Sequence, residues 1–212
     1  MRRTAREAKQ GIMTVPHCLH GNWKLILKNG LPSDSQLSGY GNIFLIGYRA
    51  AGKTTLAREI SLCSGLVFLD TDHEIQQKAG MSIEEMVSCY GWDYFRDMEE
   101  KIMARLDRSL KMIVSTGGGI ILRKSSRDVL KSRNCLCVYL KAGAQLIQRR
   151  LSTNPHAAQR PPLSRLSLQE EIASVLSRRE PLYQECADVV LDASQSPPRL
   201  AAKIMKIYTQ GF

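Results

Sequence analysis

The chain has 212 residues, 43% of them hydrophobic and 24% charged, which suits one full-sized globular domain with an appendage and excludes two independent enzymes, a fibrous chain or a disordered one. Thirty Lys and Arg against 20 Asp and Glu leave a net charge of +10, which favours an anionic partner: nucleic acid, an acidic lipid surface, or a small phosphorylated or carboxylated ligand. No run of about 18 apolar residues occurs, so a membrane span is not expected.

Residues 1–40 carry bases at positions 2, 3, 6, 9, 24 and 28 and acids only at Glu7 and Asp34. They show no periodic face and read as a basic, flexible N-terminal extension, with an organellar transit peptide or a binding arm as alternatives. A secretory signal is not expected, because its best apolar candidate, Trp23 to Leu27, is interrupted by Lys24. From residue 41 to 212 the pattern is that of one domain. An apolar run at Asn42 to Gly47 predicts a strand, and Leu56, Ile60 and Cys63 within Lys53 to Ser64 repeat at helical spacing. Further strands are predicted at Val67 to Leu69, Met112 to Ser115, Leu136 to Leu140 and Val189 to Leu191, separated by segments of helical period. Five buried-looking strands alternating with helices imply a parallel sheet covered on both faces. A last helix after Pro197 and Pro198 presents Leu200, Ile204 and Ile207 to that sheet. The six cysteines, Cys18, Cys63, Cys89, Cys135, Cys137 and Cys186, form no Cys-x-x-Cys pair and read as reduced thiols. Cys135 and Cys137 share a strand face, but no His lies near them to complete a zinc site.

Gly47-Tyr48-Arg49-Ala50-Ala51-Gly52-Lys53-Thr54 fits Gly-x4-Gly-Lys-[Ser/Thr] and falls between the first strand and first helix. Successive backbone N–H groups there make a concave anion site, and the helix N-terminus adds its positive end. Lys53 reaches the outer phosphates and the Thr54 hydroxyl can ligate Mg²⁺. Gly47, Ala50, Ala51, Gly52, Lys53, Thr54 and Thr55 are therefore the candidate nucleotide contacts.

Leu69-Asp70-Thr71-Asp72 closes the second strand, at the sheet edge where open α/β folds bind ligands. Asp70 can hold a metal-bound water, and Asp72 can orient an attacking hydroxyl and accept its proton. The bland alternative makes Asp72 the N-cap of a helix beginning at His73. Gly117, Gly118 and Gly119 follow the third strand and allow a ligand to approach their backbone N–H groups, or form a plain tight turn. Arg160, in the irregular stretch from Thr153 to Ser164, is a candidate lid cation, or a solvated loop residue. Arg96 and Arg179 have planar forks suited to a carboxylate. Arg96 could instead pair with Glu99 or Glu100, and Arg179 could balance the end of a helix before Pro181.

In this order these motifs resemble the shikimate kinases, a family of P-loop kinases akin to the nucleoside monophosphate kinases. The resemblance spans about residues 42–209 and rests on Gly47 to Thr54, Leu69 to Asp72, Tyr94-Phe95-Arg96, Thr116 to Gly119, Arg160-Pro161, and Arg179-x-Pro-Leu-Tyr183. It implies a three-layer α/β/α fold with a five-stranded parallel sheet of order 2-3-1-4-5 and a mobile lid at about 153–166. It also implies ATP- and Mg²⁺-dependent phosphorylation of shikimate at its 3-hydroxyl. Carried over by position, Lys53 and Thr54 hold phosphate and Mg²⁺ with Asp70 behind the metal, and Asp72 activates the acceptor. Arg96 and Arg179 grip the carboxylate, the amides around Gly118 hold the ring, Arg160 is the lid cation, and Arg150 resembles the arginine that packs on adenine. A monomer acting on small molecules in the cytoplasm is expected, or in a plastid if the extension is a transit peptide; an aromatic content of 6% with no Lys/Arg cluster longer than two offers little to nucleic acid, and no membrane partner is expected.

Two departures stand out. The loop lacks the glycine common at position 50, which stiffens the cradle or alters phosphate approach. The lid reads Arg-Pro-Pro-Leu where Arg-Pro-Leu-Leu is usual, which changes backbone freedom and keeps the cation. Rival readings are a kinase of gluconate or a nucleotide, which should lack the combined Asp72, Arg96, triple-glycine and Arg179 set, and a catalytically silent relative that only binds a partner.

Overall fold

A computed structural model describes residues 40–106, 111–132, 134–153 and 167–210. The extension over residues 1–39, Cys18, Arg160 and almost all of the expected lid lie outside the described residues.

The chain runs β1 (Asn42–Ile46), α1 (Lys53–Ser64), β2 (Val67–Asp70), α2 (Thr71–Ala79), α3 (Ile83–Ala104), β3 (Met112–Ser115), a 3-10 turn (Ile120–Leu122), α4 (Lys124–Leu130), β4 (Cys135–Lys141), α5 (Ala144–Thr153), α6 (Leu168–Cys186), β5 (Val189–Asp192) and α7 (Pro197–Gln210). The strands form one parallel sheet in the order β2-β3-β1-β4-β5, the order implied by the family resemblance. Ile43 sits between Ile113 and Leu136 in register, and the Asn42 side chain accepts from Met112 N (3.1 Å), fixing the start of the β1/β3 pair.

β1, β3 and most of β4 are fully buried, as the unbroken apolar runs require. The two edge strands are not: Val67 and Val190 are exposed, because a strand paired on one side only keeps one flank at the rim. Alternation along β1 splits the core. Phe44 and Ile46 join Val114, Cys137 and Tyr139 in a cluster with Tyr183 and Cys186 of α6, while α1 packs with α7 and against β1 and β3. A satellite cluster of Ile75, Ile83, Met86, Phe95 and Ile102 lies between α2 and α3.

The sequence pattern places Ile207 on the inner face of α7, but the structure places Tyr208 there with Leu200, Ala201 and Ile204. Positions 200, 204 and 208 make a four-residue ridge, and the Tyr208 hydroxyl donates to the Tyr40 and Gly41 carbonyls (3.2 and 2.9 Å).

Two positions decide where the site can form. β1 connects towards β2 on one side and β3 towards β4 on the other, so the loops after β1 and β3 diverge and open a crevice at their carboxyl ends. α3 is broken at Gly91 (φ 79°, ψ 172°), and its second half carries Arg96 and Glu99 inward.

Candidate active site

The phosphate-binding loop leaves β1 at Gly47 and ends at Gly52, both with positive φ. Ala50 also adopts φ 61°, the one non-glycine to do so among the described residues. The Lys53 ammonium is buried and donates to the Gly47 and Tyr48 carbonyls (2.8 and 2.9 Å), spanning the loop it closes. A cleft of about 500 Å³ opens over Arg49 to Leu56 and is bordered by Asp72, Thr116 and Arg150. Of the loop residues expected from sequence, Ala50, Ala51, Gly52, Lys53, Thr54 and Thr55 line it, whereas Gly47 does not and instead takes the Lys53 ammonium on its carbonyl.

Asp70 caps α2, its Oδ1 accepting from the Asp72 and His73 amides (3.1 and 3.3 Å). The helix therefore starts at Thr71, not His73, and Asp72 is not its cap. β2 ends at Asp70, so this carboxylate meets the first free amides, and Asp72 is carried to the inner side of the first turn, where it is buried. Asp70 Oδ2 accepts from Thr54 Oγ1 (2.8 Å), which also lies 3.1 Å from Ser115 Oγ. Two hydroxyls and one carboxylate thus converge at the start of α1. Hard oxygen donors with a single carboxylate suit Mg²⁺, which takes its remaining positions from water and substrate phosphate.

The three glycines follow β3 into this crevice. A Cβ on Gly117 would come within 2.7 Å of Asp72 Oδ1 and strike the Glu99 carboxylate. A Cβ on Gly119 would strike the Arg96 guanidinium. The triplet is therefore required by close approach, and it exceeds a plain turn. The Gly118 carbonyl accepts from Arg179 (2.9 Å) and from the Tyr183 hydroxyl (2.5 Å). Burial, then the neighbouring Arg96, pulls the Arg179 pKa below its ordinary value. Burial pushes the Tyr183 phenol up to about 12, against the opposing pull of Arg179. Arg96 is buried on α3, paired with Glu99 and lying over Trp92 and Phe95. Arg96 and Arg179 meet at a narrow recess lined by Arg49, Ile83, Trp92, Phe95, Gly118 and Gly119.

Both bland alternatives are thereby settled differently. Arg96 makes the Glu99 pair and still faces the recess. Arg179 does not end a helix, because α6 continues through Pro181 to Cys186. Arg150 borders the cleft and donates to the Ala50, Ala51 and Ala193 carbonyls (3.2, 2.7 and 2.8 Å); burial first, then Arg149, lowers its pKa.

Sequence reasoning missed Arg49, Ser115, Glu99 and Tyr183 as site residues, and the cleft wall formed by Ala193, Gln195, Pro197 and Leu200. The wall had a signal, since it follows the carboxyl end of β5.

A parallel sheet of this order, with a phosphate-cradling loop at its switch point, defines the P-loop phosphotransferase class. The sequence model of the family described as shikimate kinase matches residues 49–209. The chain is 37% identical over 170 residues to shikimate kinase 2 of Photorhabdus laumondii, covering 80% of this chain and 97% of that one. It is 40% identical over 165 residues to shikimate kinase 2 of Sodalis glossinidius, covering 78% and 94%. Among solved structures it is similar to a shikimate kinase from Acinetobacter baumannii in complex with shikimate, with TM-score 0.75, 32% identity and coverage of 83% and 96%. It also resembles the shikimate kinase of Aquifex aeolicus, with TM-score 0.66, 26% identity and coverage of 78% and 94%. The chain belongs to the shikimate kinase family.

Proposed function

We propose that this protein transfers the terminal phosphoryl group of ATP to the 3-hydroxyl of shikimate, giving shikimate 3-phosphate and ADP. The observation that carries the reading is the position of Asp72. It borders the phosphate cleft and lies against Gly117, whose neighbours Gly118 and Gly119 form the recess with Arg96 and Arg179. An acceptor whose carboxylate lies between the two guanidiniums can present a hydroxyl to Asp72, in line with a phosphate held over the loop.

The loop amides and Lys53 bind the phosphate chain and neutralise the charge that spreads over the transferring group. Thr54, with Asp70 behind it, would hold Mg²⁺; when bound, that ion screens the phosphate charges. Asp72 orients the acceptor hydroxyl. As the new O–P bond forms and the bond to ADP breaks, Asp72 takes the hydroxyl proton. Arg150 is suited to packing on adenine, since it stands beside the wall made by Ala193, Gln195 and Pro197. For Arg160 the family resemblance alone supports a role as an added cation on the transferring phosphate.

ADP release measured against shikimate, gluconate and a nucleoside monophosphate tests the reading. Turnover is expected with shikimate; turnover with either of the others and none with shikimate overturns it. Asp72→Ala is expected to lower kcat by a factor of about 10² or more while ATP binding stays within a few-fold, and unchanged turnover refutes the proton-acceptor role.

A further inference from the structure

Arg49 has no part in the assignment above, yet it borders both the phosphate cleft and the acceptor recess. Its terminal nitrogen donates to Glu171 Oε1 in the first turn of α6, 122 positions away, and both side chains are largely buried. Its Nε is also buried and has no hydrogen-bond partner among the described residues. A buried guanidinium donor without an acceptor is costly, and the same side chain lines the recess shared with Arg96 and Arg179. The backbones also approach closely here: a Cβ on Gly118 would sit 3.1 Å from Arg49 N, so the loop leaves no room for a side chain at position 118. The three cations differ in their described partners. Arg96 pairs with Glu99 and Arg49 with Glu171, whereas Arg179 donates to a carbonyl.

We propose that Arg49 is a third guanidinium of the acceptor site, which binds the acceptor's anionic group, and that Glu171 is the positioning residue that aims it. One terminal nitrogen of the fork is held by the carboxylate, which leaves the other donors of the guanidinium for the ligand, as a supporting ion pair orients a ligating side chain elsewhere. The inference rests on the shikimate kinase reading and adds two residues to it.

The test uses the full chain and two readouts: steady-state kinetics with each substrate varied, and shikimate titration followed by fluorescence of Trp92, whose ring lies 5.1 Å from the Arg96 guanidinium carbon. Arg49→Gln and Glu171→Gln are each expected to raise the shikimate Kd and KM about tenfold, with KM for ATP within twofold and kcat within about threefold. If Glu171 acts through Arg49, the double variant is no worse than Arg49→Gln alone. An unchanged shikimate Kd in Arg49→Gln, or a rise confined to KM for ATP, overturns the proposal, and additive losses in the double variant overturn the positioning role. Should Glu171→Gln fail to fold, Arg49→Lys carries the test, because it keeps the charge and loses the fork; unchanged shikimate affinity then overturns the proposal. A wild-type protein that binds no shikimate refutes the underlying reading instead, and that outcome is seen before any variant is made.

Discussion

Ala50 takes the left-handed conformation that the phosphate loop needs at its centre, where a side chain costs about 1–2 kcal/mol relative to an unstrained residue. Glycine would remove that cost and lose about 0.5–1 kcal/mol more backbone entropy on folding. Ala50→Gly is therefore expected to raise Tm by about 3–6 °C at most, measured by calorimetry; a fall in Tm would show the loop to be unstrained. The stiffening expected from the missing glycine thus has a definite location. At this scale, residues whose role is set by close neighbours in the chain were legible. The loop signature from Gly47 to Thr54, the pair Asp70 and Asp72, and the glycine triplet each encode their geometry in local spacing. Arg49 was not, because its partner Glu171 lies 122 residues on. Nor were the contacts of Arg150, which reach back 99 residues to Ala51.

The elements themselves announce their starts in the sequence, since Ser82-x-x-Glu85 and Ser167-x-x-Glu170 both form full capping boxes. The bland alternative that made Asp72 the cap of α2 fails because β2 ends at Asp70, whose carboxylate takes the first free amides instead. Inside α3 the break at Gly91 turns the second half so that Arg96 and Glu99 point inward, while Tyr90 and Tyr94 stay outside. A Cβ on Gly91 would meet nothing within 4 Å, so any cost of replacing it is conformational and not steric. Gly91→Ala is expected to lower stability by about 1 kcal/mol or more and to weaken shikimate affinity more than ATP affinity, read by thermal melting and by titration of each ligand. An unaltered melt with unaltered affinities would show that α3 tolerates a straight path.

Across the whole molecule the excess positive charge is divided. Residues 1–40 hold a net +4 and the rest +6; of the latter, Arg49, Lys53, Arg96, Arg150 and Arg179 border the cleft or the recess. The cysteines described are all free. Burial, with Glu59 beside Cys63 and Glu185 beside Cys186, pushes both thiols up to about 11, and burial raises Cys137 well above its usual range. Cys89 is exposed. A thiol with a pKa near 11 is about one-thousandth thiolate at pH 8. Brief alkylation at pH 8 should therefore modify Cys89 before Cys63, Cys137 or Cys186, as peptide mapping can check. Early labelling of Cys137 in the native protein would contradict the packing of β4.

α7 supplies the last wall of the phosphate cleft through Pro197 and Leu200, packs on the helix that follows the phosphate loop, and holds the chain just before β1 through Tyr208. During synthesis the loop at residues 47–54, which Lys53 closes locally, leaves the ribosome about 150 residues ahead of the wall that α7 gives its cleft. Nascent chains stalled with residue 196 as the last one outside the exit tunnel are expected not to be retained on immobilised ATP, whereas chains released at full length are retained. Equal retention of both would show that the cleft closes without α7. Retention at full length alone would mean that the nucleotide cleft forms in one late event, after α7 has left the ribosome.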